Sequence, residues 1–492
     1  MNNKMTQELQ WKKWIRAKSD TLSLPFQLIL EDSSHPLICE TILRALPGKR
    51  WVIAGSWDNK AVVAKLFYSR DAKRHFKNEM KGAMILHQAN VPTPQLLYQG
   101  SAHKKRTQVI LFEKIEDSIS LEDVWQRKEE YIEIHSILSS FIIELATQHV
   151  LGILQRDLHL NNFLVTNKRI YTLDGSTIIQ FDTPLDKKNS LENLGLFFAQ
   201  LGVGTEKLQQ DLFHIYAKAR GWIVKKADLT ILETATKSFI QERWRHYRKK
   251  IFRNCSAFKK ISRLFQRGMY ARQYQSPDFL KILQHPDTVF TDAETEILKK
   301  GRSATVAKIK IDNRYFVIKR YNIKNSIHWL RRCLRNTRAK TTWRLAQQLS
   351  LFGIPTAKPI AYIEKHFFGL NSTSYFFMEY IPGLSSKDYF ATYQPTNPQY
   401  AFIAERVLAL FHALTELHLT HGDLKNTNII IHLEQPKLID LDGMCEHTLA
   451  RRLQTTYKKE LKRFMNNWHE HPDIFALFND LLKTTHYSEC KK

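Results

Sequence analysis

No stretch of this 492-residue sequence approaches the roughly 18 uninterrupted apolar residues that a membrane-spanning helix requires. Its first residues, MNNKMTQELQWKKW, lack the apolar core of a signal peptide, so export is not expected. The five cysteines (Cys39, Cys255, Cys333, Cys445, Cys490) form no CxxC pair and have no histidine at zinc spacing. They read as free thiols in a reducing cytosol. Acid is also scarce: 74 Lys and Arg stand against 48 Asp and Glu, a formal charge of +26. The hydrophobic fraction of 43% is nevertheless that of a globular protein, and the chain is too long for one core.

A surface this basic attracts polyanions: nucleic acid, anionic lipid head groups or phosphorylated glycans. The excess is concentrated in two places. Between Gln241 and Gln273, Arg243, Arg245, Arg248, Lys249, Lys250, Arg253, Lys259, Lys260 and Arg263 interleave with Trp244, Tyr247, Phe252, Phe258 and Phe265. Between Lys319 and Arg344 stand Arg331, Arg332, Arg335, Arg338 and Lys340. Aromatics among cations suit a membrane interface or single-stranded nucleic acid, and equally a helix whose rings are core and whose charges are solvated.

The chain reads as two copies of one pattern. GILQRDLHLNNFLV (Gly152 to Val165) is echoed by LTHGDLKNTNIII (Leu419 to Ile431). Ahead of each lies an alternating apolar stretch around a polar turn, Asp58-Asn59 and Asp312-Asn313, which predicts a hairpin. A helix then ends at a proline-containing loop, and an apolar strand closes on Glu113 or Glu379. A long amphipathic helix follows, with Ile134, Ile137, Leu138, Phe141, Ile142 and Leu145 on one face in the first copy. Ile403, Val407, Leu410, Phe411, Leu414 and Leu417 do the same in the second. Residues 273–287 read as a linker, giving domains of 1–285 and 286–492, with the basic stretch in the first.

Phosphoryl transfer needs a cation on the phosphates, oxygen ligands for Mg²⁺ and a group to orient the acceptor hydroxyl. The first half offers Lys65 in the strand AVVAKLF, Glu79 as its partner fourteen positions on, Asp157 for the hydroxyl, and Asn162 and Asp174 for the metal. The second offers Lys319, Asp423, Asn428 and Asp440, with Asp442 as a second metal ligand. Asn and the following Asp are separated by the same spacing in both halves, which aligns Asp174 with Asp440.

HGDLKNTN, KLIDLDG, WRLAQQLSLFGIPTAKPI and FFMEYIPG resemble the Kdo/heptose lipopolysaccharide kinases of Gram-negative bacteria. NEMKGAMILHQANVPTP and QRDLHLNNFLV look like an InaA-like version of the same family. The resemblance implies an α+β architecture of two tandem protein-kinase-like bilobal domains, each with a small β-sheet N-lobe and a helical C-lobe. It implies ATP and Mg²⁺, a lipopolysaccharide core glycan as acceptor, and work at the cytoplasmic face of the inner membrane. An anionic membrane surface is thereby a more natural partner than nucleic acid.

Neither half has a full G-x-G-x-x-G loop. Pro47-Gly48-Lys49-Arg50 stands in its place in the first half and Gly301-Arg302-Ser303 in the second, where backbone amides, Ser303 or the basic side chains are expected to cradle phosphate instead. Gln155 replaces the usual histidine before the first catalytic loop, and Thr342 stands where the second helix should carry its glutamate. On that count the first half is expected to be the better equipped for turnover. A Ser/Thr/Tyr protein kinase stays open, although neither half has an A-P-E-like segment, as does a non-catalytic scaffold binding membrane or another polyanion.

Overall fold

The computed structural model describes residues 24–484 except 47, 128–130, 168, 324, 331–332, 393 and 395. The N-terminal stretch, Pro47, Arg331, Arg332 and Cys490 therefore lie outside the described residues; the other four cysteines are free. The chain divides into two compact units. The first runs to Gln200 and includes Lys207–Phe239, and the second comprises Leu201–Glu206 and the chain from Ile240.

The first unit opens with strands β1 (Phe26–Leu28), β2 (Leu37–Leu46), β3 (Arg50–Trp57), β4 (Lys60–Phe67), β5 (Leu96–Ala102) and β6 (Thr107–Glu113). They form an antiparallel sheet in the order β1-β2-β3-β4-β6-β5. The expected β3–β4 hairpin turns through Asp58 and Asn59, both at positive φ, as a tight two-residue turn requires. Alternation along β4 puts Val62, Ala64 and Leu66 into a core on one face. It sends Lys65 and Phe67 to the other, where helix α1 (Ala72–Gln88) lies. Helices α2 (Tyr131–Val150) and α3 (Lys187–Phe198) follow, then α4 (Glu206–Ala219) and α5 (Lys226–Lys250).

The second unit repeats the plan with a larger sheet. Its strands are β7 (Phe258–Arg263), β8 (Gln266–Ala271), β9 (Glu296–Lys300), β10 (Ala304–Ile311), β11 (Arg314–Tyr321), β12 (Pro359–Phe367) and β13 (Leu370–Glu379). Their order is β7-β8-β12-β13-β11-β10-β9. Its longer helices are α6 (Pro277–Gln284), α7 (Arg338–Leu351), α8 (Pro398–Glu416), α9 (Ala450–Asn466) and α10 (Pro472–Thr484). The apolar face anticipated for α8 is buried throughout. Each unit is thus a small sheet with one crossing helix followed by a helical lobe, the bilobal kinase-like arrangement.

The domain boundary departs from the sequence expectation by about 45 residues, because it falls inside α5 rather than near 285. The supposed linker is a plug on the outer face of the second sheet. Ser276 caps α6, and Phe279 and Leu283, one turn apart, are buried. Asp287 accepts from Tyr375 (2.6 Å), pairs with Arg320 (3.1 Å) and contacts Lys365. The basic stretch likewise belongs to the second unit. Its Trp244 and Phe258 are core, and Tyr247 hydrogen-bonds Gln347 of α7 at 3.1 Å. Phe265 alone among the five rings is exposed.

In the first unit His149 is wholly buried between Tyr216 (2.6 Å) and Asn193 (3.0 Å). Burial holds its imidazole down at about 4. A depressed histidine contributes stability that is complete above its ordinary value near 6.5 and is lost as pH falls through about 4. The first unit should therefore lose about 3 kcal/mol over that window. NMR titration of His149 together with urea unfolding at pH 7 and pH 4 checks both halves of this expectation.

Candidate active site

In the first unit the β4 ammonium of Lys65 meets the carboxylate of Glu79 from α1, and donates to the carbonyl of Leu173 at 3.1 Å. Glu79 also accepts the amide of Gly175 (3.2 Å). Helix and loop approach so closely that a Cβ on Gly82 would lie 1.9 Å from the Gly175 carbonyl oxygen. The Lys-Glu pair expected from sequence is thus formed. A second cation, Arg50, comes from the turn whose basic side chains were expected to cradle phosphate. It lies 3.4 Å from Asp174 and 4.0 Å from Glu79. Burial and the neighbouring Asp174 charge push Glu79 up against the opposing pull of Lys65. Asp174 is buried too, yet Lys65 and Arg50 hold it well below the usual carboxylate range.

The second unit solves the same problem differently. Alternation along β11 sends Val317, Lys319 and Tyr321 to the inner face. Lys319 contacts Asp440 and Asp442, each at 2.6 Å. The other oxygen of Asp442 accepts from Tyr321 (2.5 Å) and from Thr342 (3.2 Å). Thr342 does occupy the helix position expected to carry glutamate, and it holds in place the aspartate that substitutes for it. Asp442, expected as a metal ligand, is instead committed to the lysine and two hydroxyls. Burial pulls Lys319 down, but the two carboxylates more than reverse this; Lys319 in turn holds Asp440 low despite its own burial.

These groups line a cavity of about 310 Å³. Val306, Val317 and Met378 form its sheet side, and Ile430 and Ile439 face them from the helical lobe. Glu379, Tyr380 and Ile381 also line it. An apolar slot with a cation and carboxylates at one end has the chemistry of a nucleotide pocket. Ser303 is not among the lining residues; its carbonyl accepts from the Asn322 amide (3.1 Å). The basic side chain from that hairpin is Lys299 of β9, whose charge also lowers Asp440. Arg50 occupies the comparable hairpin in the first unit, so a cation stands in each unit where the glycine-rich loop is missing.

Around the second catalytic loop, Asn428 donates to the Asp423 carbonyl (2.8 Å), leaving its amide oxygen free to be a ligand. Asp440 has φ +58, a left-handed conformation that Asp tolerates better than most residues and that clusters at functional sites. Asn428 and Asp440 supply the hard oxygen atoms that suit Mg²⁺. His421 is buried, which lowers its affinity for a proton, and its Nε2 contacts the Ile439 carbonyl at 3.0 Å. Glu460 of α9 accepts the amides of His421 (3.0 Å) and Gly422. Gly422 has φ +82, and a Cβ there would lie 2.0 Å from the Gly443 carbonyl oxygen, so the HGD loop admits only glycine at that position. Lys425 and Arg463 stand 2.8 and 3.6 Å from the Asp423 carboxylate. In the first unit Asn162 likewise donates to the Asp157 carbonyl (3.0 Å), while buried Gln155 hydrogen-bonds Gln148.

Both lysines therefore have a carboxylate partner, Glu79 for Lys65 and Asp440 with Asp442 for Lys319, and in the first unit Arg50 also stands on Asp174.

Residues 285–479 match the family model described as lipopolysaccharide kinase (Kdo/WaaP) family. The matched segment is similar to a kinase family, whose chemistry is phosphoryl transfer to an alcohol. No curated protein matches the chain. Among solved structures, WaaP in complex with acyl carrier protein is similar at 17% identity and TM-score 0.32, covering 40% of this chain and 88% of that one. Vaccinia related kinase 3 is similar at 7% identity and TM-score 0.31, covering 48% and 96%. The Mycobacterium tuberculosis PknI kinase domain is similar at 15% identity and TM-score 0.29, covering 45% and 99%.

If Asp442 has taken over the role of a helix glutamate, the role is transferable. Asp442→Asn should weaken Mg·ATP binding by about tenfold or more, the scale of a lost buried charge partner. Adding Thr342→Glu to that variant should recover part of the loss. Calorimetric titration of both variants reads this; equal affinity in wild type and Asp442→Asn rules the transfer out.

Proposed function

We propose that this chain is an ATP- and Mg²⁺-dependent kinase of sugar hydroxyls in the lipopolysaccharide inner core, working at the cytoplasmic face of the inner membrane, with turnover in the second unit. One observation carries the reading: the cavity with Lys319, Asn428 and Asp440 at its charged end lies within the segment that matches the lipopolysaccharide kinase model. When bound, Mg·ATP supplies the phosphoryl group and spreads its charge over the metal. Lys319 holds phosphate, with Asp442 keeping the ammonium aimed from its far side. Asn428 and Asp440 are the metal ligands. Asp423 orients the acceptor hydroxyl and accepts its proton, while His421 and Glu460 fix the loop that carries it.

Lys425 and Arg463 beside Asp423 favour an acceptor that bears anions, as acidic or phosphorylated core sugars do. For the first unit, the Arg50 contacts with Asp174 and Glu79 favour a regulatory or binding role. There Lys65, Asn162 and Asp157 keep the kinase pattern while Arg50 competes with a metal for Asp174.

Transfer of phosphate from labelled ATP to delipidated or rough-form core glycan tests this division. Asp423→Asn should lower the rate by about a hundredfold to ten-thousandfold, the range for removal of a positioned acid-base group. Asp157→Asn should stay within about twofold of wild type. Absence of transfer by the wild type sinks the acceptor assignment, and equal losses in both variants sink the division of labour.

A further inference from the structure

The second sheet ends in a surface that phosphoryl transfer leaves unused. At the turn between β7 and β8, Leu264 and Phe265 are 79% and 53% exposed. At the turn between β12 and β13, Phe367 and Phe368 are 58% and 88% exposed. The two turns form one platform. The His366 amide donates to the Phe265 carbonyl (3.1 Å), and the rings of Phe265 and Phe367 stack with centroids 5.7 Å apart. Phe368 packs edge-on against Phe367 at 4.5 Å.

A third segment is tied to the same end. Trp329 donates its indole N–H to the Asn371 carbonyl (3.0 Å), and the Asn371 amide donates to the Cys333 carbonyl (2.8 Å). That segment exposes Ile327, Leu330 and Leu334. None of these apolar residues lines the nucleotide-sized cavity. Apolar side chains this exposed on loop tips, rather than scattered singly, mark an interaction site.

Charge identifies the partner. No acidic residue occurs in the sequence stretches 257–271, 326–340 or 365–373, from which the described platform residues come. Lys260, Arg263 and Arg335 are exposed beside it. The adjoining acids are already engaged: Glu364 by Arg267 (2.9 Å) and Thr337 (2.8 Å), and Asp287 by Arg320, Lys365 and Tyr375. We propose that this end of the second unit docks on an anionic lipid bilayer. The Leu264, Phe265, Phe367 and Phe368 tips enter the interface, and the flanking cations meet lipid phosphates. Protruding aliphatic and phenyl groups within an acid-free collar suit a fluid interface, which needs no complementary pocket. The assignment specifies the surface for the membrane association in the proposed function, and it stands independently of the phosphate acceptor.

Co-sedimentation of the full chain with vesicles tests it. Binding is expected to vesicles of phosphatidylcholine with phosphatidylglycerol, weaker to phosphatidylcholine alone, and reduced by salt. Phe265→Ser with Phe368→Ser should weaken binding about tenfold or more at unchanged melting temperature. Lys260→Glu with Arg263→Glu should weaken it and flatten the salt dependence. No binding by wild type, or equal binding by the phenylalanine variant, overturns the proposal. So does a wild-type dimer in light scattering that the same variant dissociates, since the platform would then serve a second copy. Phosphate transfer to soluble glycan, measured on the same variants, reports separately on the catalytic reading.

Discussion

A lysine on an interior strand of each sheet is almost fully buried, and the surrounding structure is arranged to keep it charged. Lys65 and Lys319 retain 8% and 9% of their exposure. An ammonium so placed requires a carboxylate at contact distance, because desolvation without compensation costs several kcal/mol. Providing that carboxylate fixes the relation between sheet, crossing helix and metal-side loop. In the first unit the acid comes from the helix, and Gly82 and Gly175 let helix and loop meet backbone to backbone. In the second it comes from the loop, with the helix contributing a hydroxyl.

This exchange changes the electrostatics of the two sites. The first gathers two carboxylates around two cations, with the acidity of Asp174 strengthened and that of Glu79 weakened. The second leaves Asp440 in contact with one ammonium while Asp442 absorbs the rest of that charge. Asp440 takes a left-handed backbone conformation, and Glu460 clamps the preceding loop through the His421 amide.

The basic composition also resolves into distinct uses. Trp244 and Phe258, embedded among cations in the sequence, are core residues, so that stretch stabilises the second sheet rather than forming an aromatic-cationic face. Phe265, a few residues beyond, belongs to the exposed platform. Spacing does not distinguish these cases. Strand alternation and the location of a turn tip do.

The sequence by itself determined the repeated architecture, because strand alternation, the Asp-Asn turns and the helical faces are local patterns. It also determined Lys65, Glu79 and the Asp-x4-Asn loops, whose members are fixed by register within single elements. Only tertiary structure decided that residues 273–287 seal a sheet, since Phe279 and Leu283 look like ordinary loop apolars until a face receives them. Only tertiary structure placed Arg50 on Asp174 and exchanged Thr342 for Asp442. Both depend on side chains more than 95 residues apart meeting in one low-dielectric space, where the nearest available charge, and not its position in the chain, satisfies the buried partner.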